Sequence, residues 1–152
     1  MSSFVFVLFS LFSGIPEEID VPALKGLTID QLQKIVPIKK PENPNWEVGV
    51  LIDVKNWRGW PKTTFSFNGK GRLSSVTFYL PKPMSSDKAE ALAVSKLGLT
   101  LPPANRVVAP ILLAYRNLGS PIRTVNFICE TQPGNNNAIE TIGVFFSIRW
   151  SE

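Results

Sequence analysis

The stretch Thr63-Thr64-Phe65-Ser66-Phe67-Asn68-Gly69-Lys70-Gly71-Arg72-Leu73-Ser74-Ser75-Val76-Thr77-Phe78-Tyr79-Leu80 reads as two strands around a tight turn. Asn-Gly supplies the positive φ that a short hairpin connection needs, and apolar residues alternate with polar ones on either side. On the returning strand, residues 72–80, Val76, Phe78 and Leu80 take one face. Ser75, Thr77 and Tyr79 take the other, so the hairpin is half-buried in an antiparallel sheet with a polar side.

Upstream the same period of two begins at Trp46, with Val48, Val50, Ile52 and Val54 on one face and Glu47, Leu51, Asp53 and Lys55 on the other. A loop through Asn56-Trp57-Arg58-Gly59-Trp60-Pro61 joins that strand to the hairpin. Further upstream, Thr28-Ile29-Asp30-Gln31 is a capping box, which predicts a short helix carrying Ile29, Leu32, Ile35 and Val36 on one face and ended by Pro37.

Downstream of Pro81-Lys82-Pro83 the order restarts. Asp87 and Glu90 form a cap-like pair, Ala89, Leu92, Ala93 and Leu97 form a helix face, and Gly98 suits a left-handed terminus. Strands follow at 107–115, 123–130 and 139–150, the last with Ile142, Val144, Phe146, Ile148 and Trp150 on one side. The expected fold is α+β: two similar helix-plus-three-strand units, residues 15–82 and 83–152, sharing one antiparallel sheet with both helices packed on one face.

The chain has 152 residues, 44% hydrophobic and 18% charged, with one Cys and no His. That length supports a single sizeable core without disulfides. The absence of His removes His-dependent triads and most zinc sites. A net charge of +4 leaves both nucleic acid and protein open as partners. The start of the chain, residues 1–14, runs Phe4-Val5-Phe6-Val7-Leu8-Phe9 and on to Phe12, too short to span a bilayer. It reads either as a signal-like leader, which places the protein outside the cytoplasm, or as a buried strand.

The capped helix followed by the glycine hairpin resembles the helix-plus-three-strand domain of BamE/SmpA lipoproteins, through Gly26, Thr28, Leu32, Phe67, Gly69, Gly71, Leu73 and Val76. Two such units in tandem are similar to the β-lactamase inhibitory protein architecture. The resemblance spans residues 26–80 and implies a binding module without naming a target. No Cys follows the apolar N-terminus, as a lipid anchor would require, and the disulfides of the inhibitor architecture are missing.

Catalytic patterns fail. There is no nucleophile elbow or phosphate loop, and Ser85-Ser86-Asp87-Lys88 is an S-x-x-K without its companion elements, better read as a helix cap. Glu17, Glu18 and Asp20 lack the spacing of a cation loop, and Cys129 reads as a small core residue. No enzyme activity, cofactor or metal is expected. What stands out is the stretch 54–86, where Lys55, Arg58, Lys62, Lys70, Arg72 and Lys82 occur without an acid among them, interleaved with Trp57, Trp60 and Tyr79. The expected contact surface is the open sheet face and the 55–62 loop, which bind another protein through Trp57 and Trp60 as anchors, Arg58 as forked donor, and Lys62, Tyr79 and Phe145. The alternatives are a single-stranded nucleic-acid binder using the same stretch and a curved cystatin-like sheet that carries an apolar ligand.

Overall fold

The computed structural model describes residues 15–129 and 138–149. The apolar segment 1–14 and Trp150 lie outside the described residues. In chain order there are a 3-10 turn at Val21–Leu24, α1 (Ile29–Leu32), β1 (Val50–Trp57), β2 (Trp60–Phe67), β3 (Leu73–Met84) and α2 (Ser86–Leu97). A second 3-10 turn, Pro103–Asn105, leads to β4 (Arg106–Ala109), β5 (Leu112–Tyr115), β6 (Ile122–Ile128) and β7 (Ile139–Phe146).

The fold is α+β. Its seven strands form one antiparallel sheet in the order β1-β2-β3-β7-β6-β5-β4. Consecutive strands pair within 1–3 and within 4–7, as short connections favour. Among the described residues, the one non-local strand pairing, β3 with β7, joins the two blocks at mid-sheet. α2 carries the chain from β3 to the far edge and packs against β7 and β6.

Alternation decides which side is buried. Val76 faces Phe65 on one flank and Val144 on the other, and Phe78 pairs with Ile142. These side chains join Val125 and Phe127 of β6, Ala89, Ala93 and Leu97 of α2, and Leu24, Ile29 and Leu32 from the N-terminal turns in one core. Of the opposite parity, Thr64, Ser66, Ser75, Thr77, Tyr79 and Phe145 are half-buried.

Both helices begin with a side-chain cap. Thr28 accepts the amide of Gln31 while the Gln31 side chain accepts the amide of Thr28. Ser85, rather than Asp87, caps α2, accepting the Lys88 amide, and Gly98 closes it at φ 64°. Four expectations need correction. α1 is shorter than predicted, and Ile35 beyond it is 54% exposed. The first strand starts at Val50 rather than Trp46. The single strand expected at 107–115 is the hairpin β4–β5, because Pro110 lacks the N–H a continuing ladder would use and residues 110–111 turn instead. The second half therefore holds four strands, not three. Cys129 sits just past β6 and is half-buried rather than a core residue.

Candidate functional site

β1 and β2 meet at a two-residue turn, Arg58-Gly59, with φ of 50° and 79°. Both values are positive, as the hairpin turns that match strand twist require. The expectation that Trp57 and Trp60 stand exposed in this loop is corrected. They pair directly across the turn, as the last residue of β1 and the first of β2. Trp57 is 7% exposed and Trp60 0%.

The cause lies one residue earlier. Asn56 takes a left-handed φ of 55°, which breaks the alternation set by Val50, Ile52 and Val54 and rotates Trp57 to the core side. Trp57 then packs on Phe65 at 5.6 Å between ring centroids, and Trp60 on Phe78 at 4.9 Å. The Trp60 indole N–H donates to the Glu17 carbonyl at 3.3 Å. The Glu17 amide donates to the Arg58 carbonyl at 2.8 Å, so the incoming chain crosses the hairpin tip. Arg58 stays exposed, 3.8 Å from the Glu17 carboxylate.

The other three expected residues share the half-buried face. Lys62 pairs with Tyr79 across β2 and β3, and its ammonium sits 4.6 Å from the centre of the Tyr79 ring. Asp53 on β1 completes the group, 3.7 Å from the Lys62 ammonium and accepting the Thr64 hydroxyl at 2.7 Å. Tyr79 pairs with Thr141 on β7, and Ser75 pairs with Phe145. Four residues of strand separate the two aromatic rows, or about 13 Å at ~3.3 Å per residue. Phe145 folds its ring over Gly143, where an added Cβ would stand 3.4 Å from the ring edge. Two half-buried aromatics thus share this face, Phe145 over Gly143 and paired with Ser75, Tyr79 beside Lys62 and paired with Thr141.

The sequence missed part of this face. Thr141 is 1% exposed and its hydroxyl has no hydrogen-bond partner. Nothing in a Thr between Glu140 and Ile142 distinguishes it from the other strand threonines. Also missed was that Arg106–Ala109 form a separate strand, β4, whose four residues are all exposed.

The basic stretch does not form one surface. Arg58 lies at one end of β2, Lys70 and Arg72 beyond the other. Arg72 stays exposed and donates to the Gly26 carbonyl at 3.1 Å, and Lys62 is engaged by Asp53. Separately, the Tyr115 hydroxyl donates to Glu90 at 2.5 Å and Arg106 donates to the same carboxylate at 3.0 Å, tying β5 and β4 to α2. Burial, then the bond to Glu90, pushes the Tyr115 phenol up to about 12, and the Glu90 hydrogen bond raises Arg106. Among the described residues no group of three or more Cys, Asp or Glu side chains is placed to hold a metal ion, and no helix is long and apolar enough to cross a membrane. The chain matches no family model, no curated protein and no solved structure.

Proposed function

We propose that the chain is a non-enzymatic protein-binding module that engages its partner through the half-buried sheet face, with Tyr79 and Phe145 as the central contacts, Lys62 beside them and Arg58 at the rim. The observation that carries this reading is the pair of half-buried aromatics in mid-sheet, paired across the strands with Thr141 and Ser75. Aromatic anchors surrounded by small side chains offer large rigid area at little conformational cost. Trp57 and Trp60 then serve the site indirectly, by fixing the hairpin that presents Arg58.

The reading also takes the chain as two related units behind one binding face, BamE-like in design, with both helices on the opposite side. In support, a side-chain-capped helix precedes each block of strands, Thr28 before β1–β3 and Ser85 before β4–β7.

The test is capture from source-cell extract by the wild-type chain beside Tyr79→Ser and Phe145→Ser variants, with thermal unfolding confirming that all three are folded. Wild type retains a partner that each variant loses by about tenfold or more, with little change between low and high salt. Equal capture by all three overturns the reading. Capture abolished by nuclease, or falling steeply with salt, transfers the function to nucleic acid.

A further inference from the structure

At the end of β2 away from Arg58, a cleft of about 360 Å³ opens between α1 and the β2–β3 turn, lined by residues 28–30, Lys40, Trp46 and residues 69–71. The volume is in the range of small-molecule sites. Its walls are set by the sequence in a way that does not depend on the sheet face.

The turn is rigid. Asn68, 3% exposed, uses its side-chain oxygen to accept the amides of Lys70 at 3.0 Å and Arg72 at 3.1 Å. Gly71 adopts a φ of 74°, and the Trp46 indole lies beside it, with ring atoms 3.6–4.0 Å, an ordinary van der Waals distance, from where a Cβ would stand. An aromatic ring therefore lines the cleft next to the turn. On the other wall Thr28 is occupied by its capping box, and Ile29 contributes apolar surface.

The charges are unequal. Lys40 is paired with Asp30 at 3.3 Å, whereas the Lys70 ammonium has no acidic partner among the described residues. One positive charge is left over beside an aromatic wall. The geometry points to a binding site for a small aromatic anion, whose ring stacks on Trp46 and whose phosphate or carboxylate is taken by Lys70 with Lys40 alongside. A ring without charge forgoes the Lys70 contact, and an inorganic anion forgoes the stack. This site is independent of the protein-binding face proposed above.

Titration of the isotopically labelled full chain with AMP, UMP, phenyl phosphate and indole-3-acetate, followed by amide and indole NMR shifts, tests it. At least one of the four produces saturable shifts at residues 69–71 and at the Trp46 indole, with a Kd below about 1 mM. Trp46→Ala and Lys70→Glu each weaken that binding by about tenfold or more, and adenosine or inorganic phosphate alone binds more weakly than the combined molecule. Lys70 is exposed at a turn tip, so its replacement leaves the fold intact even where Trp46→Ala disturbs the loop. The proposal is overturned by the absence of saturable shifts at these residues for all four probes, by undiminished binding to Lys70→Glu, or by inorganic phosphate or adenosine binding as tightly as the probe that binds best.

Discussion

At Gly59 the backbone sits at φ 79°, and a Cβ placed there would collide with the Ile15 carbonyl oxygen. The missing side chain lets the chain at Ile15–Glu17 cross the hairpin tip closely enough for the Trp60 N–H to find the Glu17 carbonyl. Gly59→Ala is expected to cost about 1–3 kcal/mol in backbone strain alone, plus about 1–3 kcal/mol for an indole N–H left buried without a partner. Gly119 is the matched control, since its φ is 93° and no atom lies within 4 Å of an added Cβ. The urea midpoint should therefore fall further for Gly59→Ala than for Gly119→Ala; equal losses would mean the crossing segment yields without energetic consequence. At this scale the sequence is least legible. Alternation from Val50 places Trp57 on the solvent side with Lys55, and only the left-handed Asn56 reverses it. Asn tolerates that conformation readily but is not bound to adopt it, so the burial of the two Trp residues leaves no local signature.

Elements with strong end chemistry are legible: the Thr28 box, Gly98 and the Asn68-Gly69 turn each satisfy or release specific backbone groups in the way their side chains dictate. The β4–β5 turn was legible in principle through Pro110, but an unbroken apolar run from Val107 to Tyr115 masks it. What no pattern conveys is the clasp between elements, in which Glu90 of α2 receives both Tyr115 and Arg106. This clasp has a pH signature. The folded state holds the Tyr115 proton up to about 12, above the ordinary value of 10.0, so the folded chain binds more protons than the unfolded chain between those values. Its contribution to stability is complete below pH 10 and declines as pH rises toward 12. Tyr115→Phe lacks this contribution at every pH. Denaturation from pH 9 to 12 should show a constant gap between wild type and variant up to pH 10 that closes by pH 12. Parallel curves would show that the clasp holds the phenol no more tightly than water does.

For the molecule as a whole, periodicity specifies strands and faces but not the order in which strands lie. Tyr79 was legible as a residue of the polar face, yet its contact with Lys62 depends on register fixed by the Asn68 turn and the irregularity at Ser66/Phe67. Phe145 joins them only because α2 carries the chain across and returns β7 beside β3. That same crossing leaves β4 as an edge, with Val108 68% exposed and Ile111 61% exposed. Sheet edges are usually blunted by charge, proline or a bulge within the strand. β1, the other edge, carries Asp53 and Lys55, whereas β4 offers Val107, Val108 and Ala109 in sequence behind Arg106, which Glu90 already engages. Aggregation on concentration should therefore begin at β4. Val108→Lys is expected to slow the growth of light scattering at raised temperature while changing folding stability by no more than about 0.5 kcal/mol. Leu51→Lys, an equally exposed apolar position on β1, should slow it less, because that edge already carries charge. If Leu51→Lys protects as well as Val108→Lys does, lack of charge on β4 is not what directs association, and exposed apolar area at either edge suffices.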